Sequence, residues 1–181
     1  MTTTAAKMEV DVIENDVVLT RFFDAPRVRV FKAWTDSAQL ALWFGPHGYT
    51  NPVCRVDART GGNYRIVMRS PEGVDYPLKG TFIEVIEPER LVTHDNLEEH
   101  PADWFDLLNK NRPKGTGEIP KIFRRTTTFK EIGGKTKVSI RNHFISAVDR
   151  DNLLKMGMAE GWGQSLERLE DLLAKKMSGA S

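Results

Sequence analysis

The histidines are the side chains of this sequence best suited to acid–base chemistry or metal binding. They are His47, His94, His100 and His143. No two of them stand four residues apart, as the two histidines of a helical metal site do. The single cysteine, Cys54, excludes a cage of thiolates and a disulfide within the chain. We therefore expect neither a metal ion nor another cofactor.

His94 stands beside Asp95 in a predicted strand over residues 90–96. Adjacent residues of a strand point to opposite faces of the sheet, so sequence adjacency does not make these two side chains a catalytic dyad. If the chain were an enzyme, its acid–base groups would come from His94, His143, Asp95 or an arginine that points inward.

Nucleophile and phosphate-binding motifs are missing from the sequence. It contains no Gly-x-Ser-x-Gly, and Gly61-Gly62 and Gly133-Gly134 lack the glycine and lysine spacing of a phosphate loop. We interpret both glycine pairs as turns. Arginines alternate along the predicted strands, and we expect most of them on the solvated face. One or two could point inward, where a guanidinium could bind a ligand carboxylate, and Arg65 and Arg124 are the first candidates.

These residues must be positioned by a mixed set of elements. Apolar alternation and turn residues predict one strand, two short helices, six further strands and one long terminal helix. Pro26 suits a first helical turn because its missing N–H needs no partner there, and Gly45-Pro46 ends the second helix. The predicted elements are, in order, strand 17–23, helices 27–35 and 36–43, strands 53–58, 63–69, 78–86, 90–96, 121–131 and 135–145, and helix 149–176.

This order predicts an α+β fold in which a curved antiparallel sheet of about six or seven strands is covered by the long C-terminal helix. Gly157, Gly161 and Gly163 interrupt the first half of that helix and should weaken it by about 2 to 3 kcal/mol. A bend over the sheet, a close approach of another backbone, or room for a ligand could each account for these glycines. Plain packing against the short helices is the remaining alternative.

Domain organisation is simple. We predict a polar N-terminal tail over residues 1–15, one domain over 16–176 and a C-terminal tail over 177–181. Residues 97–120 exceed the usual hairpin length, and we interpret them as a flap or a tolerated insertion. A short helix at 102–109 within them carries Trp104 and Phe105. Such apolar residues should lie against the domain, over the mouth of a cavity.

Composition limits the possible partners. The chain has 181 residues, 40% of them hydrophobic and 28% charged, with 26 basic and 25 acidic side chains. This balance supplies no field for polyanions, so we expect no nucleic-acid partner. No apolar run approaches the roughly 18 residues that span a bilayer, and the first residues have no apolar stretch of the secretory kind. We therefore expect no membrane partner and a cytoplasmic location.

Taken in order, several short motifs resemble those of the family of homologues of the activator of the heat-shock-protein-ninety ATPase. That family belongs to the START-like, birch-allergen-like (SRPBCC) superfamily. The resemblance covers residues 17–173 and implies a helix-grip fold around a hydrophobic cavity, without implying one chemistry. The motifs are Arg21, Ala25-Pro26, Val30-Phe31, Ala33-Trp34-Thr35, Trp43-Phe44-Gly45-Pro46, Gly61-Gly62, Gly80, Glu84, Pro88-Glu89-Arg90-Leu91, Gly133-Gly134, Thr136 and Gly161-Trp162.

A binding cavity is the natural consequence of many bulky side chains facing one curved sheet. We predict a ligand site under the terminal helix, with no residue assigned a catalytic role. The preferred wall is Tyr64, Ile66, Met68, Phe82 and Trp162. The other candidates are Trp43, Phe44, His94, Phe123 and Met158.

Three functions are compatible with this sequence. The leading hypothesis is a carrier, non-catalytic or weakly catalytic, of a small apolar or aromatic ligand such as a lipid or polyketide. The second is a cyclase, aromatase or hydrolase that uses the same cavity. The third, suggested only by the family name, is a module that binds a chaperone; we rank it lower because the chain has one such domain and no companion. A homodimer through the insertion or a sheet edge is compatible with all three.

Overall fold

The computed structural model describes residues 8–110 and 112–178. Eight strands within these residues form one antiparallel sheet. Along the sheet the strands run in the order β1-β2-β8-β7-β6-β5-β4-β3, so β1 and β3 are its edges. The strands are β1 (Glu9–Ile13), β2 (Asp16–Phe23), β3 (Thr50–Val56), β4 (Asn63–Arg69), β5 (Asp75–Ile86), β6 (Arg90–Asn96), β7 (Ile122–Ile132) and β8 (Lys135–His143).

Five helices lie in the described parts of the chain. The first two are short and consecutive. Asp36 lies between them and caps the start of the second helix, because its carboxylate accepts a hydrogen bond from the backbone N–H of Gln39 at 3.0 Å. Such a cap satisfies one of the free N–H groups at a helix start. The helices are α1 (Arg27–Thr35), α2 (Ser37–Trp43), α3 (Ala102–Asn109), α4 (Ala147–Lys155) and α5 (Met158–Ser178).

The core lies between one face of the sheet and helices α1, α2 and α5. Trp34 of α1 joins these layers, because its ring packs edge-on against Phe129 of β7 at 5.4 Å and against Trp43 of α2 at 4.6 Å. The Trp43 indole N–H donates to the Ala33 carbonyl at 2.9 Å. From α5, Leu169 is fully buried against this cluster. The two short helices therefore fill one end of the concave side of the sheet.

The α+β helix-grip fold predicted from the sequence is confirmed, with two differences. Glu9–Ile13 were assigned to a polar tail but form an eighth strand, β1, whereas residues 1–7 of that tail lie outside the described residues. The terminal helix predicted as one rod is divided into α4 and α5. Gly157 at the junction has φ +92°, a conformation that glycine adopts without steric cost.

Within the segment between β6 and β7, helix α3 packs against the body of the domain. The helix occupies the predicted residues and buries Phe105 and Leu108. A buried side-chain bond ties it to α4, since the Asn152 amide donates to the Leu108 carbonyl at 3.2 Å. Arg112, beyond the helix, forms a largely buried ion pair with Asp149 of α4.

Candidate functional site

A cavity of about 440 Å³ lies between the sheet and the terminal helices. Its floor comes from β4 to β8, and its roof from α4, the Gly157 junction and the first turns of α5. The C-terminal end of α2 and the segment before α3 close its sides. The lining residues are Phe44, Gly45, Pro46, Tyr49, Met68, Tyr76, Leu78, Asp95, Leu97, His100, Trp104, Phe123, Arg125, Asn142, Phe144, Leu153, Met156, Gly157, Met158, Gly161, Trp162 and Ser165.

Aromatic rings and methionines dominate this wall. Trp162 of α5 stacks on Trp34 at 6.4 Å and meets Phe44 edge-on at 5.8 Å, so the core of the domain fixes its position. On the floor, Phe123 and Phe144 of neighbouring strands contact each other at 5.5 Å. Methionine side chains adapt to irregular partners because they are unbranched and polarisable. The wall therefore combines rigid aromatic rings with side chains that can change shape.

A second, much smaller void of about 20 Å³ adjoins the cavity. Tyr64, Ile66 and Phe82 line it, together with Phe44 and core residues. The volume is about that of one water-sized probe, so this void has no room for an organic ligand. The concave face is thus filled at the α1–α2 end and open at the α3–α4 end.

One ion pair lies at the boundary between these two spaces. Arg125 of β7 is 8% exposed, and its Nε is 3.0 Å from Oδ2 of Asp95 on β6. Its guanidinium lies over the Trp162 ring, 5.2 Å from the centroid. Removing one partner of such a buried pair typically costs about 3 to 5 kcal/mol, whereas an apolar pair of the same volume is often equally stable. Stability alone therefore does not explain why charges occupy this position.

The Asp95 carboxylate is held by further hydrogen bonds. Thr93 donates its hydroxyl to it at 2.9 Å, and the Tyr64 hydroxyl donates from β4. Desolvation raises the pKa of Tyr64 well above its ordinary value, and the Asp95 charge adds to this shift while Arg125 opposes it. Tyr64 therefore remains a protonated donor at neutral pH.

Gly80 makes the bond between Tyr64 and Asp95 possible. In the sheet register Tyr64 of β4 pairs with Gly80 of β5, which pairs with Asp95 of β6. The tyrosine ring lies across the central strand, where a Cβ atom on Gly80 would overlap it. A glycine in a strand often marks such a close approach.

His100 is a further ionisable side chain in the cavity wall. It is 9% exposed, and its Nδ1 is 2.9 Å from the Pro77 carbonyl oxygen, to which it can donate as a neutral imidazole. Its ring contacts Trp104 at 4.7 Å. Burial lowers the pKa of His100, opposed by the hydrogen bond to Pro77. The imidazole is therefore neutral at pH 7.

The structure brings half of the predicted site residues to the cavity. Phe44, Met68, Phe123, Met158 and Trp162 line it. Tyr64, Ile66 and Phe82, which belong to the preferred wall, line the small void instead. Trp43 lines neither space because it is fully buried between α1, α2 and the sheet.

His94 was placed in the wall but is exposed on the opposite face of β6. The cause is strand alternation: Thr93 and Asp95 take the inward positions, so His94 must point outward. His143, the last residue of β8, is also exposed, and its Nδ1 is 2.5 Å from the carboxylate of Asp16 on β2. Neither histidine can act in the cavity.

The inward arginine was predicted one residue too early. Arg124 is exposed, and Arg65 forms an ion pair with Glu99 at 2.7 Å on the outer face. Arg125 is the arginine that enters the cavity. The sequence could have identified Arg125. Residues two apart in a strand lie on the same face of the sheet, and Phe123, two residues before Arg125, was expected in the cavity wall.

The charged side chains and the histidine of the cavity wall are engaged by other groups of the protein. Within residues 8–110 and 112–178, no group of three or more histidine, cysteine, aspartate or glutamate side chains is arranged to hold a metal ion. Burial raises the pKa of the Cys54 thiol to about 11, with a contribution from Asp36, so it is a poor nucleophile. Asp95 is already engaged by Tyr64, Thr93 and Arg125, which leaves it badly placed to accept a substrate proton.

The fold and the cavity together define a helix-grip domain, in which a curved antiparallel sheet and a C-terminal helix enclose space. The sequence model of the family described as "Activator of Hsp90 ATPase homolog 1-like protein" matches residues 24–174. The chain therefore belongs to that family. No helix within the described residues is long and apolar enough to cross a bilayer.

Solved structures show the same fold. A protein from Nitrosomonas europaea is 26% identical, with a TM-score of 0.74 over 93% of this chain and 99% of the other. A Rhodobacter sphaeroides protein is 19% identical, with a TM-score of 0.76 and the same coverage. The AHSA1 protein from Silicibacter pomeroyi is 21% identical, with a TM-score of 0.68 over 89% and 99%. The last two show similarity of fold alone. None of the curated proteins compared with this sequence matches it.

Proposed function

We propose that this protein binds a small, largely apolar ligand in the cavity between the sheet and helices α4 and α5. The observation that carries the proposal is the unfilled space of about 440 Å³ in a domain whose other concave surface is closely packed. Pockets for small molecules usually measure about 300–1,000 Å³ and are lined by apolar and aromatic side chains with a few polar groups. This cavity meets both criteria.

The backbone of the roof supports the same function. Gly161 of α5 lines the cavity, and a Cβ atom there would meet only Pro46 Cγ at 3.8 Å. A Cβ atom on Gly163 would meet only Met8 Cε at 3.7 Å. Both are ordinary van der Waals distances, so close approach of another backbone does not explain these glycines. Room above the cavity and an adjustable roof account for them better.

Binding of fluorene, a rigid apolar probe, tests the proposal. Equilibrium dialysis should show saturable binding to the purified protein with one site per chain. Met158→Trp should weaken binding by about tenfold, because an indole, bulkier than the methionine side chain, would displace about 60 Å² of buried apolar probe surface, worth ~1.5 kcal/mol. Met158 is suitable because it lines the cavity and is only partly buried.

Val28→Trp is the matched control. Val28 lies on the outer side of α1 and is 63% exposed, so the same ring added there should leave fluorene binding unchanged. Equal loss in both variants, or no saturable binding of fluorene by the unmodified protein, would count against a binding cavity.

A further inference from the structure

Asn142 is a buried polar side chain that the fold leaves incomplete. It lies on β8, is 9% exposed and lines the cavity, and its Nδ2 has no hydrogen-bond partner. Buried polar groups are nearly always paired, and each exception calls for an explanation. Here the unpaired donor belongs to the floor of a cavity large enough for a ligand. A ligand atom that accepts a hydrogen bond would complete it.

Arg125 adds to this donor-rich position. In the sheet register it lies directly opposite Asn142, on the neighbouring strand β7. Its Nε and Nη2 face Asp95, at 3.0 and 3.3 Å. A guanidinium carries five N–H donors in a fixed fork, and a single carboxylate does not occupy them all. The floor thus presents donors from two adjacent side chains within a mainly apolar wall.

The charge of the cavity decides which acceptor suits it. Its charged lining groups are Arg125 and Asp95, which form a pair of zero net charge, and His100 is neutral. An anionic ligand would lose its hydration, would find Arg125 already neutralised and would be repelled by Asp95. An uncharged oxygen acceptor meets none of these penalties. The Asn142 amide, whose Nδ2 has no partner, can donate to a carbonyl oxygen.

We propose that the ligand is an uncharged, mostly aromatic or alicyclic molecule with a carbonyl oxygen that accepts a hydrogen bond from Asn142 Nδ2 beside Arg125. This inference rests on the proposed function, since it assigns a ligand class to the same cavity. Ketones, quinones, esters and lactones share the required chemistry. Apolar surfaces of the ligand would lie against Phe123, Phe144 and Trp162.

Three rigid probes of similar shape test this ligand class. They are 9-fluorenone, which carries a carbonyl, fluorene, which has a methylene in its place, and fluorene-9-carboxylate. Equilibrium dialysis at pH 7 should give fluorenone an affinity about three- to tenfold higher than fluorene, the range of one net hydrogen bond. The carboxylate should bind more weakly than either.

Substitution of Asn142 assigns the preference to its side chain. Asn142→Leu keeps a similar shape without the amide and should reduce the fluorenone-to-fluorene affinity ratio to about one. Arg124→Leu is the matched control: this neighbour of Arg125 is exposed on the outer face, so the ratio should not change. Circular dichroism and thermal melting establish that each variant is folded before it is compared.

The possible outcomes separate the two proposals. If fluorene and fluorenone bind equally well to the unmodified protein, the cavity binds ligands but the carbonyl inference is wrong. If the carboxylate binds best, the charge argument is wrong. If the fluorenone preference persists in Asn142→Leu, Asn142 is not the donor. If no probe binds, both proposals fail. The fluorenone-to-fluorene affinity ratio of the unmodified protein tests the carbonyl preference without any variant, so the test stands even if Asn142→Leu does not fold.

Discussion

Replacement of Gly80 by alanine should destabilise the domain strongly, although the change adds a single methyl group. A Cβ atom at this position would lie 2.5 Å from the His94 backbone oxygen and closer still to Cε1 of the Tyr64 ring. Real Cβ atoms are not found at such distances. The tyrosine ring must therefore move, and strand β6, whose backbone blocks the other side, must shift away from β5.

The size of the effect follows from these two displacements. Loss of the hydrogen bond from Tyr64 to the Asp95 carboxylate is worth about 1.5–3 kcal/mol. Forced overpacking in a closely packed region typically costs about 1–3 kcal/mol. The lower backbone entropy of alanine in the unfolded chain offsets about 0.5–1 kcal/mol. We expect the free energy of unfolding to fall by about 2 to 5 kcal/mol, a large part of the roughly 5–15 kcal/mol available to a typical domain.

Denaturation in urea, followed by tryptophan fluorescence, measures this change as a shift of the midpoint at constant slope. Tyr64→Phe provides an internal comparison, because it removes the hydroxyl that donates to Asp95 and leaves the ring in place. It should cost less than Gly80→Ala. In a Tyr64→Leu background the cost of Gly80→Ala should shrink, since one of the two clashing groups is gone.

A Gly80→Ala variant within about 0.5 kcal/mol of the unmodified protein, the range of a neutral surface change, would show that position 80 has room for a methyl group. An undiminished cost in the Tyr64→Leu background would show that the clash does not involve the tyrosine ring.

Two further predictions concern α5 and the cavity wall. Gly161→Ala and Gly163→Ala should each raise the free energy of unfolding by up to about 1 kcal/mol in urea denaturation, since both positions have room for a methyl group. Only Gly161→Ala should weaken fluorene binding in dialysis, because only Gly161 lines the cavity. An equal effect of the two substitutions on binding would contradict the assignment of Gly161 to the cavity wall. Burial lowers the pKa of His100 below the pKa of the same histidine in the unfolded chain. The unfolded state therefore binds more protons, and the free energy of unfolding should fall as pH drops through about 6.5 and below. Urea midpoints measured between pH 5 and 8 should fall less in His100→Gln than in the unmodified protein, and an identical fall would show that His100 does not contribute.

Most of the fold could be predicted from the sequence because its elements carry strong local signals. The strand that contains Tyr64, Ile66 and Met68 alternates these apolar residues with mainly polar ones in the sequence, and it was predicted with its observed bounds. Strand β1 could not be predicted in this way, because every side chain from Glu9 to Ile13 is exposed. It is held by backbone pairing with β2, and such pairing leaves no pattern of hydrophobicity. The break at Gly157 was only partly visible, as a helix weakened by glycines.

The site was harder to predict because a cavity forms only where the sheet and the helices are too far apart for their side chains to make contact. Tyr64, Ile66 and Phe82 share the concave face with Met68, but the short helices close the space above them. The distance between the sheet and the helices above it cannot be predicted from the sequence of any single strand or helix. The choice of Arg124 over Arg125 was an error of one residue, which reverses the face in a strand. Asn142 was not considered, since a single asparagine in a strand gives no sign that its donor lacks a partner.

A crystal structure of the complex with 9-fluorenone would show whether the cavity binds a ligand in the inferred way. We expect one probe molecule between the sheet and α5, with its rings against Phe123 and Trp162 and its carbonyl oxygen within hydrogen-bond distance of Asn142 Nδ2. An interior filled by the side chains of Met158 and Trp162, with the probe absent or bound only on the outer surface, would contradict it.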